Sequence, residues 1–514
     1  MLALSSGISL GCGADRPIGK KSRAWGGNGM SESSSGNLYH ATQACTYSGP
    51  RRFAGALPKP TAASATAAKS CERWAVATTI FEPSSSLRQI ASIPGWCLVV
   101  AGDKKTPTTF NLTGAVYLSP ADQEAMTFEI GRLLRWNHFG RKNLGFLYAI
   151  QHGARWVYDF DDDNLPKRLD AKALPAPFPA FFSEVQTHAT TVNLYPRTAD
   201  YNATWPRGYP LQKITPAERA APFDVGGQLG SSKVGVLQSL ADHEPDVDGF
   251  YRLHGKLPFY FPKAGKVLGG HGAALPVGTM MPYNAQATMY AYKALWGLLL
   301  PITVHGRVTD IWRAYFTQRL MWDVGLRLAF APPWVAQHRN PHNILGDFNS
   351  EEPLYSQAGA LVDELLSWKP TTSTLAGRIE ELYIRMYEID LIGQTDVELT
   401  QAWLGDLIAA GYQFPSLQET YSAERTAAQS KAAALKAAAA PPPPRAAVCL
   451  SGHHHAAVQT TWPTIKANIV EPLGPNTDVF VSSHSQLNEP LPSWLPACPC
   501  MRRAALDPTR PDPT

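Results

Sequence analysis

The stretch Ala154-Arg-Trp-Val-Tyr-Asp-Phe160, which runs directly into Asp161-Asp-Asp-Asn164, decides the fold class of this chain. Its aromatic and β-branched residues predict a buried strand that follows a helix and ends in carboxylates. In open α/β sheets, ligands bind at the carboxyl ends of the strands. An acidic run at a strand end therefore lies where a functional site is expected.

The acidic run also predicts a metal site. Three adjacent Asp residues repel one another, so we do not expect them to pack together without a cation. Alternate residues of an extended chain share one side, so Asp161 and Asp163 are the predicted ligands, while Asp159 and Asp162 orient them or face away. Carboxylate oxygens suit Mg²⁺ or Mn²⁺, which also bind diphosphates. The alternative interpretation is a solvated acidic turn or a helix cap.

Strand and helix patterns alternate on the amino-terminal side of this run. The predicted strands lie at residues 73–81, 97–101 and 115–118, and the predicted helices begin at Ser119 and cover 141–152. This alternation predicts βαβ units in an α/β fold, with a Rossmann-type mixed sheet flanked by helices.

The carboxyl-terminal half mixes loops with helical patterns. We predict a short strand at 249–253, helices from the apolar spacing across 285–299 and 311–324, and a helical extension over 372–412. The predicted layout is a disordered leader at 1–70, a main domain at 71–420, an Ala/Pro-rich linker at 421–445, and the truncated start of a second α/β domain at 446–514, with a strand from 446, a helix near Thr461 and a strand over 477–481.

Composition excludes some functions. The net charge of +4 over 514 residues is too small to suggest a nucleic-acid binder. No run of 18 apolar residues occurs, so no transmembrane helix is predicted, and no clean signal-peptide core is present. Seven cysteines without a zinc-like CxxC pair give no indication of the redox compartment.

Two further residues are candidates for the chemistry. His338 follows a hydrophobic stretch and is a candidate third metal ligand, although a lone His is more often structural. Asp310 follows a short extended piece at the start of a predicted helix and is the candidate general base. The alternative for Asp310 is an N-cap, which is a common role for Asp at that position.

Donor-binding candidates lie near the amino-terminal strands. Arg141, Lys142 and Asn143 open the helix before the acidic strand, where positive charge near a helix N-terminus could meet phosphate. Their alternative is an ordinary solvated helix end. Asp103 closes the second predicted strand and could hydrogen-bond a base or ribose, or serve only as a turn residue.

Several blocks, in the same order, resemble the STELLO-type glycosyltransferase family over about 72–415. These blocks are Trp74-Ala-Val-Ala-Thr-Thr-Ile-Phe81, Val100-Ala-Gly-Asp-Lys-Lys105, Trp136-Asn-His-Phe-Gly-Arg-Lys-Asn143, Asp159-Phe-Asp-Asp-Asp-Asn164, Asn193-Leu-Tyr195, Trp205-Pro-Arg-Gly-Tyr-Pro210 and Pro333-Trp-Val-Ala-Gln-His-Arg339. The family looks like a GT-A fold and is distantly similar to the reversibly glycosylated polypeptides, whose motifs appear here as Arg141-Lys-Asn-Leu-Gly145 and Gly306-Arg-Val-Thr-Asp-Ile-Trp312.

The resemblance implies roles for the candidate residues. Asp161 and Asp163 would hold the metal diphosphate, Asp310 would lie by the acceptor, and His338 would be a late metal ligand. It implies a glycosyltransferase that uses a nucleotide-sugar donor, a glycan or protein acceptor and Mn²⁺ or Mg²⁺. Because Asp310 would be the base of a direct displacement, we expect an inverting reaction.

Two alternatives remain open from the sequence. One is a non-catalytic GT-A scaffold that assists the assembly of cellulose synthase or other Golgi enzymes, since the plant family is Golgi-resident and has that role. Intact Asp161, Asp163, Asp310 and His338 favour an enzyme over a scaffold. A weaker alternative is a metal-dependent phosphate-ester hydrolase, for which the sequence has no recognisable nucleophile motif.

Overall fold

A computed structural model describes residues 46–55, 71–187, 189–214, 223–340, 343–418, 447–452 and 478–483. The chain divides into two compact units, residues 1–430 and 431–514. The described part of the first unit holds a mixed sheet of eleven strands with flanking helices, which confirms the predicted α/β class. None of the described helices is long and apolar enough to cross a membrane.

The strands of the first unit are numbered in chain order. They are β1 Arg73–Thr78, β2 Cys97–Ala101, β3 Ala115–Leu118, β4 Trp156–Phe160, β5 Asn164–Pro166, β6 Phe181–Gln186, β7 Asp224–Gly230, β8 Val234–His243, β9 Ala273–Ala274, β10 Ala287–Ala291 and β11 Arg327–Gln337. The sheet order is β3-β2-β1-β4-β10-β8-β11-β9-β6-β7, and β5 pairs with β11.

Strand direction determines which ends meet. Strands β3, β2, β1 and β4 are parallel neighbours. Strand β10 runs antiparallel to both β4 and β8, and β11 runs parallel to β8. Strands β8 and β11 therefore point the same way as β4. The carboxyl ends of β1, β2, β4, β8 and β11 lie along one edge of the sheet, where ligands of such sheets bind.

The helices surround this sheet. They are α1 Ser85–Ala91, α2 Pro120–Ala125, α3 Lys142–Gln151, α4 Tyr195–Thr198, α5 Gly249–His254, α6 Ala264–Val267, α7 Gly306–Asp323, α8 Ile344–Ser350, α9 Glu352–Ser367, α10 Leu375–Glu388 and α11 Gln394–Ala409. Helix α7 is buried along almost its whole length, which fixes the side chains of its first turns.

Several predicted elements are confirmed. Strands β2 and β3 have the predicted bounds, and α2 begins after Ser119, whose side chain accepts a hydrogen bond from the Asp122 N–H. The helical extension predicted over 372–412 consists of α10 and α11. These segments carry strong local signals, namely a capping box and clear periodicity.

Two predicted elements are wrong. Residues 249–253 form helix α5 instead of a strand, because Asp248 caps its first turn by accepting from the Tyr251 N–H. Residues 285–299 form β10 and a 3₁₀ helix, Tyr292–Leu298, instead of one α-helix. Ladder hydrogen bonds to β4 and β8 on either side override the helical spacing of the apolar residues there.

Residues 46–55 belong to the packed part of the first unit. Phe53 is buried, and its N–H donates to Glu380 of α10 at 2.9 Å. Arg52 pairs with Glu129 at 2.9 Å. Both contacts join residues that are remote in sequence. Residues 46–55, which the sequence predicted to be part of a disordered leader, therefore pack against the main domain. Cys71 and Cys97 form a disulfide next to β1 and β2, a pairing that the sequence did not indicate.

The second unit contains two described strands. Strand β12, Ala447–Gly452, pairs in parallel with β13, Asp478–Ser483. These positions agree with the strands predicted there. The predicted helix near Thr461 lies outside the described residues, and the boundaries of the linker stay a prediction.

Candidate functional site

A cavity of about 460 Å³ opens at the edge where the strand ends meet. This volume falls within the range of roughly 300–1,000 Å³ that is usual for small-ligand pockets. It is formed by the segments after β1, β2, β4 and β8, by the end of β11, and by the first turns of α7. Its charged lining residues are Asp103, Lys105, Asp161, Asp162, Asp163, Arg207, Asp246, Arg307, Asp310 and Arg339.

The acidic run forms one wall of this cavity. Strand β4 ends at Phe160, and the next three residues all line the cavity. The Asp161 side chain keeps 39% of its surface exposed, so a ligand can reach it. Asp162 accepts a hydrogen bond from the Thr79 hydroxyl, and Asp163 accepts one from Gln337 Nε2 at 3.1 Å. The run is therefore held in place by neighbouring strand ends.

Asp159 lies in the core instead of the cavity. Its carboxylate is fully buried between Lys142, whose Nζ lies 2.6 Å away, and Arg313, whose Nη1 lies 2.7 Å away. Lys142 Nζ also donates to the Phe160 carbonyl at 2.7 Å and lies 3.7 Å from the Asp161 carboxylate. These buried ion pairs hold the end of β4 in place from the core side, in agreement with an orienting role for Asp159.

The pKa values of the three carboxyl groups in the acidic run are all shifted in the same direction. Desolvation by the surrounding protein raises the pKa of Asp161, Asp162 and Asp163. Lys142 opposes the shift for Asp161, while the charge of Asp163 adds to it. The pKa shifts mean that the folded protein resists three adjacent negative charges at this wall.

The residues present fit a divalent cation. Six carboxylates and four cationic side chains line the cavity, so the lining would carry two excess negative charges if all ten groups were ionised. One Mg²⁺ or Mn²⁺ would balance that excess, and hard carboxylate oxygens are its preferred ligands. Among the described residues no group of three or more His, Cys, Asp or Glu side chains converges on a metal position. Asp161 and Asp163 would therefore supply part of the coordination sphere, with substrate oxygens and water completing it.

Asp310 belongs to a buried ion-pair cluster. Arg207 Nη1 and Nη2 donate to its two oxygens at 3.0 and 2.8 Å, and the Ala285 N–H donates to Oδ2 at 3.0 Å. Arg207 Nε also donates to Asp246 at 2.9 Å. Burial opposes ionisation of Asp246, but the Arg207 charge prevails and lowers its pKa. One lone pair of Asp310, on Oδ1, is left after these bonds.

The N-cap alternative for Asp310 is wrong. Helix α7 begins at Gly306, and the side chain of His305 caps it by accepting from the Arg307 N–H. Asp310 is therefore one turn inside the helix, because the helix starts earlier than the apolar pattern from Ile311 indicated. Its carboxylate is directed to Arg207 and to the cavity, and its role as a base stays a prediction.

His338 lies between two lining residues without lining the cavity itself. Its ring centroid is 4.2 Å from that of His243, and it is not among the residues that line the cavity. Gln337 and Arg339, on either side, do line it. Strand β11 ends at Gln337, so His338 and Arg339 lie in the segment just after it. In the described part of the chain, His338 does not join Asp161 and Asp163 in a metal-ligating group.

The helix residues predicted to meet phosphate are enclosed by protein. Arg141 donates to Gln123 Oε1 at 2.9 Å, and its guanidinium lies 3.7 Å from the Trp136 ring centroid. Asn143 exchanges two hydrogen bonds with the Leu300 backbone, both at 2.9 Å. Neither residue lines the cavity. Of the three, only Lys142 contacts a site carboxylate, and it does so from the core side. The alternative of a solvated helix end is wrong, because all three are buried.

Asp103 lines the cavity, but its carboxylate already accepts three backbone hydrogen bonds. Its carboxylate accepts from the N–H groups of Lys104 and Asn137 at 2.7 Å and of His138 at 3.2 Å. These bonds tie the end of β2 to the segment before α3. Asp103 therefore shapes the wall, and direct contact with a base or ribose stays a prediction.

Sequence reasoning missed five charged lining residues. They are Lys105, Arg207, Asp246, Arg307 and Arg339. All but Asp246 stand inside quoted blocks, so a signal was present without an assigned role. Asp246 follows β8, whose place beside β10 and β11 the sequence did not reveal.

Gly208 allows the segment that carries Arg207 to pack closely on α7 beside Asp310, and substitution of Gly208 tests this packing. Its φ of +79° suits glycine, and an added Cβ would lie 2.3 Å from Ile311 Cγ2, next to Asp310. We expect Gly208→Ala to lower the free energy of unfolding by at least about 1–2 kcal/mol, measured by urea denaturation. Gly226→Ala is the control, since its added Cβ meets nothing within 4 Å. Equal stability of the two variants would contradict this packing.

Comparison with known proteins places the chain in one family. Residues 307–434 match the family model described as STELLO glycosyltransferases. The chain is 32% identical over 366 residues to probable glycosyltransferase STELLO2 of Arabidopsis thaliana, covering 67% of this chain and 46% of that protein. It is 31% identical over 368 residues to probable glycosyltransferase STELLO1 of the same plant, covering 67% and 45%. The chain thus spans about half the length of the curated relatives it matches.

Proposed function

Since the chain carries a domain of the STELLO glycosyltransferase family, we propose that it transfers a sugar from a nucleotide-sugar donor to a glycan or protein acceptor with Mn²⁺ or Mg²⁺. The observation that most supports this proposal is that carboxylates and arginines line the same cavity. Asp161 and Asp163 stand on one wall, and Arg207, Arg307 and Arg339 line the same cavity. A metal diphosphate needs both kinds of group.

The chain's own residues would divide the work of the reaction. A bound metal would neutralise charge on the departing diphosphate. Asp161 and Asp163 would hold it, and the buried Lys142–Asp159–Arg313 group would keep the end of β4 from shifting. Asp310 would accept the proton of the attacking acceptor hydroxyl through its remaining Oδ1 lone pair. The bidentate bond from Arg207 would fix the direction of that lone pair.

The proposed base makes a separate prediction. We expect Asp310→Asn to lower the rate of transfer by about 10²- to 10⁴-fold, because the amide cannot take the proton. The affinity for nucleoside diphosphate should change by less than about threefold, because Asp310 contacts no predicted metal ligand. Steady-state kinetics together with calorimetry would measure both. Unchanged turnover would remove Asp310 as base and with it the support for an inverting reaction.

A panel of nucleotide sugars tests the proposed activity. The full chain, supplied with Mn²⁺, should release nucleoside diphosphate from at least one donor, and chelation of the metal should stop the release. A chain that hydrolyses or transfers no donor while keeping its fold would favour the scaffold alternative. A Golgi location and assistance to cellulose synthase assembly stay predictions from the family resemblance.

A further inference from the structure

The segment that follows β11 presents a cation to the cavity where the sequence predicted an imidazole. Gln337, the last residue of β11, lines the cavity and donates to both oxygens of Asp163, at 3.1 and 3.2 Å. The His338 ring packs against that of His243. Arg339 lines the cavity. The chain thus supplies a guanidinium two residues beyond the amide that fixes Asp163.

Arg339 has a largely buried side chain that is incompletely bonded. Its side chain is only 9% exposed. Nη2 lies 3.3 Å from Asp246 Oδ1, a long contact, and Nε has no hydrogen-bond partner within the described part of the chain. A buried guanidinium with an unused donor is costly unless a ligand completes its bonds.

The other two arginines that line the cavity make more and closer contacts with carboxylates. Arg207 is held by Asp246 and Asp310, each through two or more contacts. Arg307 is paired with the buried Glu351. Arg339 has only the 3.3 Å contact with Asp246, which it shares with Arg207, whereas Arg207 and Arg307 each lie closer to a carboxylate. The wall carrying Asp163 therefore has a cation available for an anionic ligand.

We infer that Arg339, and not His338, is the residue that the segment after β11 contributes to the diphosphate, through hydrogen bonds to its terminal phosphate oxygens. This rests on the proposed function. When the bond between the sugar anomeric carbon and the phosphate oxygen breaks, its electron pair stays on that oxygen, while the acceptor oxygen bonds to the carbon and gives its proton to the base. The oxygen gains negative charge in the transition state, and a fixed guanidinium beside it stabilises that charge.

Binding experiments on the full chain test this assignment. The probes are UDP, GDP and inorganic pyrophosphate, titrated by calorimetry in the presence of Mn²⁺. We expect Arg339→Met to weaken binding by about 10- to 100-fold, as for the loss of a charge-assisted hydrogen bond. Arg339→Lys should recover part of the affinity, because it keeps the charge. His338→Gln should stay within about twofold of the wild type.

The outcomes separate this inference from the proposed function. If the wild type binds a nucleoside diphosphate and Arg339→Met binds it equally well, Arg339 is excluded while the function stands. If His338→Gln weakens binding more than Arg339→Met, the imidazole is the ligand and the inference is overturned. If folded wild type binds none of the three probes with Mn²⁺, both proposals fail. Thermal unfolding of each variant checks that the fold is kept, and Arg339→Lys gives the comparison if the Met variant does not fold.

Discussion

Arg207→Met is expected to lower the free energy of unfolding by about 3–5 kcal/mol, because it leaves buried carboxylates without their main cation. Arg207 joins Asp246 and Asp310, whose side chains are 4% and 5% exposed. Arg339 lies 3.3 Å from Asp246 and can compensate only one of the two. The remaining charge would take up a proton or draw in water, and either change loosens α7 against the Trp205–Pro210 segment.

Denaturant unfolding followed by tryptophan fluorescence would measure this loss. Arg168→Met is the matched control, since the Arg168–Asp170 pair is exposed on both sides and should leave stability unchanged. Asp310→Asn added to Arg207→Met should recover part of the loss, because it removes one of the uncompensated charges. If Arg207→Met is as stable as the control, the cluster does not hold this part of the fold.

Asp161→Asn with Asp163→Asn is expected to reduce sugar transfer at least about 1,000-fold, since it removes the two proposed metal ligands. The same change should not destabilise the protein without metal. Desolvation, with repulsion from neighbouring carboxylates, raises the pKa of both carboxyl groups, so the charged forms oppose folding at neutral pH. The chelated double variant should therefore melt at the wild-type temperature or above it.

Added Mn²⁺ gives the complementary measurement. It should raise the melting temperature of the wild type, because a ligand that binds only the folded state stabilises it. The double variant should not respond. Asp170→Asn, an exposed carboxylate of the following loop, is the control and should respond as the wild type does. Equal shifts in all three proteins would place the metal elsewhere.

The position of the acidic run could be predicted from the sequence. Strand β4 has a local signal, and its carboxyl end lies at the ligand-binding edge of the sheet, so the place of Asp161 and Asp163 at that edge follows from pattern and topology. Asp310 was identified from its place before a hydrophobic helix, and the cavity does include it. These predictions needed only local periodicity and one general rule of α/β sheets.

The remaining residues depend on contacts that no local pattern encodes. Arg207 and Asp310 are 103 positions apart and meet only because the Trp205–Pro210 segment packs on α7. Which residue of 337–339 faces inward depends on strand register. The pairing of β11 with β8 shifts between Ala331 and Val335, and a bulge of this kind changes which side chains share a face. Counting alternate residues from the sequence therefore could not choose between His338 and Arg339.

The central claim is that this cavity binds a nucleoside diphosphate through a metal held by Asp161 and Asp163. The most direct test is a calorimetric titration of UDP and GDP into the full chain, with Mn²⁺ and again with a chelator. We predict binding of at least one of them with Mn²⁺, and a loss of that binding both in chelator and in the Asp161→Asn, Asp163→Asn variant. Binding that is equally tight without metal, or unchanged in the double variant, would contradict it.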